Sequence, residues 1–218
     1  MGAIARNAAN NITTAGVFTS SAITNASVTG ITVLANASDG ITLISSQTAS
    51  SSASLSFTTG IDSTYKAYKF VFVNIHPATN GANFTFNMST DSGSNYNVTK
   101  TSTSFRPFHY ESDAGADLSY SGTSDLAQST GFQIIAENVG DSADDNSSGS
   151  LTLFNPSSTT YVKHFISSVQ MNNSSSFPAS VNFHTAGYGN TTSAVNAIRF
   201  QMSSGNIDAG TIYLYGIK

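Results

Sequence analysis

Ala67-Tyr68-Lys69-Phe70-Val71-Phe72-Val73-Asn74-Ile75 is the stretch on which the fold of this chain turns. Tyr68, Phe70 and Phe72 share one face of an extended segment, with Asn74 continuing it, while Lys69, Val71 and Val73 share the other. A period of two marks a strand with one face toward a core. The pattern then recurs along the chain. Leu55 and Phe57 alternate with Ser54, Ser56 and Thr58, and Phe84, Phe86 and Met88 alternate with Asn83, Thr85, Asn87 and Ser89. Leu151 and Leu153 follow Gly149; Val162, His164 and Ile166 are set against Tyr161, Lys163 and Phe165. Val181, Phe183 and Thr185, then Ile198, Phe200 and Met202, then Ile212, Leu214 and Gly216 complete the series. No segment holds a helical period. Eight or more short strands divided by Gly, Asn and Ser turns predict an all-β fold, an antiparallel jelly-roll-like β-sandwich.

Two acidic stretches, Glu111 to Gln128 and Asn138 to Ser148, break the alternation and are expected to be loops. Loops are where such a scaffold carries recognition chemistry. Residues 1–50 differ in kind. Arg6 and Asp39 are the only charged side chains of the first sixty residues, and Phe18 and Phe57 the only aromatics. Ile12, Val17, Phe18, Ile23, Val28 and Ile31 are scattered among Thr, Ser, Asn and Ala, and Gly30-Ile31-Thr32-Val33-Leu34 is echoed by Gly40-Ile41-Thr42-Leu43-Ile44. Such a segment builds no core alone, so residues 1–50 read as an extended β arm that anchors on a partner surface, and residues 51–218 as the exposed sandwich domain. No continuous apolar region follows Arg6, so no signal peptide is expected.

Of the 218 residues only 9% are charged, 8 basic and 12 acidic for a net charge of −4. Polarity comes instead from 37 serines, 26 threonines and 20 asparagines, while 14 phenylalanines and 9 tyrosines supply a core. Disordered chains lack such aromatic content. No basic cluster suits nucleic acid, no apolar run suits membrane insertion, and the absence of cysteine excludes thiolate chemistry.

Glu111 and Glu137 are the only glutamates, and glycoside hydrolysis would need two carboxyl groups facing each other across a cleft. Nothing in their spacing places them there. No cofactor is expected. Asp91-Ser92-Gly93-Ser94-Asn95 offers Asp91 and Asn95 as calcium ligands, and Asp141 with Asp144 offers a second set, but Asp and Asn beside Gly are also what a tight turn requires, and the turn is preferred. His76, His109, His164 and His184 form no metal-binding pair, and His164 and His184 are read as wall residues of strands. Sugar binding needs exposed flat rings; Tyr110, Tyr120 and Tyr188 are the candidate recognition residues.

Longer motifs add a kinship. Gly60-Ile61-Asp62-Ser63-Thr64-Tyr65-Lys66, Asn74-Ile75-His76-Pro77, Asp91-Ser92-Gly93-Ser94-Asn95-Tyr96, Leu153-Phe154-Asn155-Pro156-Ser157-Ser158-Thr159-Thr160, Ala186-Gly187-Tyr188 and Ser203-Ser204-Gly205-Asn206-Ile207-Asp208-Ala209-Gly210-Thr211-Ile212 are the segments concerned. Across residues 50–218 the chain resembles a module of virion proteins of phages that infect marine bacteria, including cyanophages. The resemblance implies a non-enzymatic bacteriophage structural protein on the virion surface. A tail or fibre-type appendage is the leading placement, with capsid decoration or a carbohydrate-binding module that contacts host surface glycans as alternatives. The expected partners are further copies of the chain, as a homotrimer, and other virion proteins.

Overall fold

The computed structural model of the chain describes residues 40–174 and 178–218. Among them there is no helix. Twelve strands follow in order: β1 (Ile41–Thr48), β2 (Leu55–Phe57), β3 (Ala67–Pro77), β4 (Ala82–Ser89), β5 (Lys100–Tyr110), β6 (Ala116–Tyr120), β7 (Gln133–Val139), β8 (Ser147–Phe154), β9 (Lys163–Asn172), β10 (Ala179–Gly189), β11 (Ala197–Met202) and β12 (Ile207–Ile217). They make two antiparallel sheets. The larger has the order β1-β12-β3-β8-β9-β10-β5-β6 and the smaller β2-β11-β4-β7. Sequence neighbours β1 and β2 thus lie in different sheets, and so do β3 and β4.

The inward faces meet in a layer of phenylalanine. Tyr68, Phe70 and Phe72 on β3 are fully buried, as are Phe84 and Phe86 on β4 and Phe200 on β11. Phe72 meets Phe84 edge-on with ring centroids 5.2 Å apart, and Phe86 meets Phe165 of β9 at 5.1 Å. Each such contact joins one sheet to the other. Aromatic pairs of this kind contribute about 0.5–1.5 kcal/mol beyond the area they bury.

Alternation in β3 ends earlier than the sequence suggests. Asn74 takes a left-handed conformation (φ 52°), and the pairing of β3 with β8 slips between Phe72 and Ile75. The slip shifts the pleat by one residue. Asn74 therefore points to solvent, and Ile75 enters the core. At the far end, Gly216 of β12 leaves room for the Tyr65 ring, whose nearest atom would lie 2.3 Å from a Cβ there.

Three findings depart from the sequence expectations. The stretch Glu111 to Gln128 contains a strand, β6, and the stretch Asn138 to Ser148 begins in β7 and ends in β8. In β9 the inward side chains are Lys163, Phe165, Ser167, Val169 and Met171, so His164 and Ile166 point outward. And Ile41–Thr48, within the stretch expected to be an arm, is hydrogen-bonded to β12 as the edge strand of the larger sheet. The candidate arm residues Ile12, Val17, Phe18, Ile23, Val28 and Ile31 lie outside the described residues.

Candidate functional site

Beyond β8 the larger sheet continues as a wing, β9-β10-β5-β6, and the outer face of that wing is where chemistry collects. Inward-facing residues of β5 explain how it is held. Lys100, Ser102 and Ser104 are buried, and their partners are polar side chains. Ser102 Oγ donates to Gln133 Oε1 at 2.6 Å, and Gln133 Nε2 donates to the Ser124 carbonyl at 2.7 Å. Arg106 pairs with Glu137, which also accepts from Ser121 Oγ at 2.5 Å and from Ser124 Oγ. Every carboxylate oxygen of Glu137 is thus engaged. Glu137 ties β7 to β5 and to the loop after β6, on the inner side of the wing, whereas Glu111 is exposed at the rim of the outer face. The fold does not bring these two carboxylates together. Glu137→Gln should cost about 1–3 kcal/mol of unfolding free energy, because it leaves buried donors without their acceptor; urea denaturation measures it.

On the outer face, β9, β10 and β5 place side chains in register, three abreast. Tyr188 of β10 lies between His164 and Thr101, and Ala186 between Ile166 and Thr103. His184 lies between Ser168 and Phe105, and Ser180 between Asn172 and His109. Pro107 has no N–H to give and falls in the break of the β5–β10 pairing, beside Asn182. These rows form a trough along β10. From Ser180 to Tyr188 it runs about 27 Å, at about 3.4 Å per residue.

Over Ala186 and Gly187 lies an open hollow of about 430 Å³, walled by His164, Ile166 and Tyr188. Ring pairs stand at either end of it. The His164 and Tyr188 rings are 6.1 Å apart, and on the other side Phe105 and His184 stack at 4.8 Å with 12° between planes. Further along, the floor becomes amide and hydroxyl. Ser168 Oγ donates to Asn182 Oδ1 at 3.1 Å, Asn182 Nδ2 to Gln170 Oε1 at 3.2 Å, and Gln170 Nε2 to Ser180 Oγ at 2.9 Å. The network fixes these groups and leaves their remaining hydrogen-bonding capacity toward solvent.

Of the tyrosines read as recognition residues, Tyr188 belongs to the trough and Tyr120 stands on the same outer face, opposite Phe105 on β6. Tyr110 is half-buried against the core and beside Phe108, with one edge at the trough's end. Sequence reading missed Phe105, Ile166 and Ala186. The signal was there in the outward half of β9 and β10, where His164, Ile166, His184 and Tyr188 keep a period of two.

Asp91 is occupied as a turn organiser. Its carboxylate accepts from Ser89 Oγ at 2.6 Å, from the Asn95 N–H at 2.8 Å and from Asn95 Nδ2 at 2.7 Å. The Ser89 and Asn95 bonds hold its carboxyl at about 2, below the usual range. Asp141 and Asp144 are exposed in the loop before β8, and among the described residues no three His, Asp or Glu side chains gather as a metal site. Comparison of the chain with protein-family models, with curated proteins and with solved structures gave no match, so the trough's own geometry and chemistry carry the functional reading.

Proposed function

We propose that this chain is a non-enzymatic structural protein of a phage particle, a tail or fibre-type appendage in which a jelly-roll-like β-sandwich is displayed outward and the N-terminal arm anchors it. The observation that carries the reading is the strand order. With the inserted hairpins β5–β6 and β9–β10 set aside, the remaining eight strands renumbered in sequence pair 1-8, 3-6 and 2-7, 4-5. Nested pairing of this kind is what rolling up one long hairpin produces, and jelly rolls are recurrent in capsid and lectin domains. Both insertions enlarge the same sheet, on the side that bears the trough. A scaffold that spends its insertions on a wider exposed face is suited to recognition.

The resemblance of residues 50–218 to virion modules of marine phages supports the particle assignment. Self-association is part of the proposal: among the described residues β1 is an edge strand of eight residues without charge or proline, with Ile41 and Leu43 exposed, and edges of that kind pair with other chains. A homotrimer is the expected assembly.

Imaging of purified particles with an antibody to residues 40–218 tests the assignment. Label confined to tails is the expected result; label over capsid faces would make the protein a decoration protein, and no label would reject both. Deletion of residues 1–39, which spares β1, is expected to leave a folded protein that no longer enters particles. Normal incorporation of that truncated chain would refute the anchoring role.

A further inference from the structure

We infer that the trough on β9, β10 and β5 is a binding site for one extended strand of a neutral glycan, seated over Ala186. The inference deepens the recognition role proposed above and relies on it only for where such a glycan would be met.

Three properties of the trough select this ligand. Its length suits a linear polymer. Its chemistry is mixed in the manner a sugar requires: flat rings for C–H faces at His164, Tyr188, Phe105 and His184, and fixed amides and hydroxyls for the ring substituents at Gln170 and Asn182. The two ring pairs sit four residues apart along β10, about 14 Å, so a sugar unit resting on Ala186 has rings beyond both ends. Third, none of the rows contains Asp, Glu, Lys or Arg. Acidic groups stand at its margins: Glu111 lines one end, Asp113 Oδ1 is 3.0 Å from His109 Nε2, and Asp125 accepts from the hydroxyl of Tyr120, opposite Phe105. Acidic groups at the mouth disfavour a sulfated or uronate chain, and a neutral one meets no penalty.

A peptide is poorly served by the same surface. Strand addition needs a free sheet edge, and here the backbone groups of β9 and β10 are already paired on both sides. An extended peptide would bury its own backbone N–H groups against side chains that are mostly bonded to each other. Sugar hydroxyls both donate and accept, and can use the capacity those side chains retain.

The test is affinity electrophoresis of the full chain in native gels cast with neutral polysaccharides (a glucan, a mannan, a galactan and a xylan), alongside gels cast with a sulfated polysaccharide. Retardation by at least one neutral polymer is expected. Ala186→Trp, which fills the hollow from an exposed position, and Phe105→Ala, which removes one ring, should each weaken it about tenfold or more, with unchanged melting temperature. Three results overturn the inference: no retardation by any neutral polymer, retardation by the sulfated polymer alone, or retardation that Ala186→Trp leaves intact. Concentration-dependent dimers that Ala186→Trp dissolves, without glycan retention, would assign the face to a second copy instead. Particle labelling is a separate measurement, so binding without labelling rejects the virion role alone, and labelling without binding rejects the glycan alone.

Discussion

Phe200→Ala is expected to lower the unfolding free energy by about 3–5 kcal/mol, a large share of what a domain of this kind possesses. Phe200 lies on β11, opposite Phe86 of β4 and Leu55 of β2, so it occupies an interior strand of the smaller sheet. Its ring lies 5.2 Å from Phe70 and from Phe72, which belong to the larger sheet, and 5.8 Å from Phe84 and 6.2 Å from Phe57 in its own. Truncation removes one contact partner from all four at once. Because those rings are anchored by strands on both sides, the gap cannot close by collapse, and the cavity adds to the lost transfer energy. Phe200→Leu should cost clearly less, since most of the volume stays. Equilibrium denaturation in urea gives both values. A loss under about 1 kcal/mol for the alanine variant would mean that the ring layer does not join the sheets.

That same ring layer is why the all-β fold could be read from the chain. β3, β4, β8, β10, β11 and β12 bury apolar side chains at every second position, and such faces are visible as alternation. β5 and β7 were not visible for a physical reason. The inward face of β5 is Lys100, Ser102, Ser104 and Arg106, which reads as a surface; it is buried because Gln133, Glu137, Thr185 and Asn87 complete its hydrogen bonds. Matched polar layers of this sort have no periodic apolar signature, and only the tertiary pairing reveals them. β6 is hidden for the opposite reason, since nearly all of it is exposed. The trough inherits both difficulties. Its residues are the outward half of the wing strands, among them Ala186, whose importance lies in being small, and no property of a single alanine announces a hollow between two ring pairs.

Lys100→Met is expected to change how stability depends on pH. Lys100 opens β5, its side chain is fully buried, and its Nζ donates to Asn87 Oδ1 at 2.5 Å and to the Val98 carbonyl at 2.7 Å. Both acceptors are neutral, and neither bond supplies the carboxylate that a buried ammonium would need. Burial therefore pushes the Lys100 ammonium down from 10.5 to about 7. A neutral amine still has two hydrogens for those two acceptors. Between pH 7 and about 10.5 the unfolded chain holds a proton on Lys100 that the folded chain lacks, so stability rises with pH across that window, by up to about 1.4 kcal/mol per unit. Below pH 7 both states are protonated and the slope vanishes. Methionine cannot titrate and takes the donor from the Val98 carbonyl, which costs about 1–3 kcal/mol, while Asn87 Oδ1 keeps the bond it accepts from the Met88 N–H at 2.9 Å. The two effects have different signatures in one experiment, urea unfolding of both proteins at pH 7 and pH 9. The stability of the wild type relative to the variant should rise by roughly 2 kcal/mol from pH 7 to pH 9. Lys163, buried under the neighbouring strand and held by the Tyr161 and Thr191 carbonyls, is shifted in the same direction but is present in both proteins and cancels. A difference that stays flat between the two pH values would show that Lys100 keeps its proton in the fold, and the polar layer beneath the wing would then be carrying an unpaired positive charge.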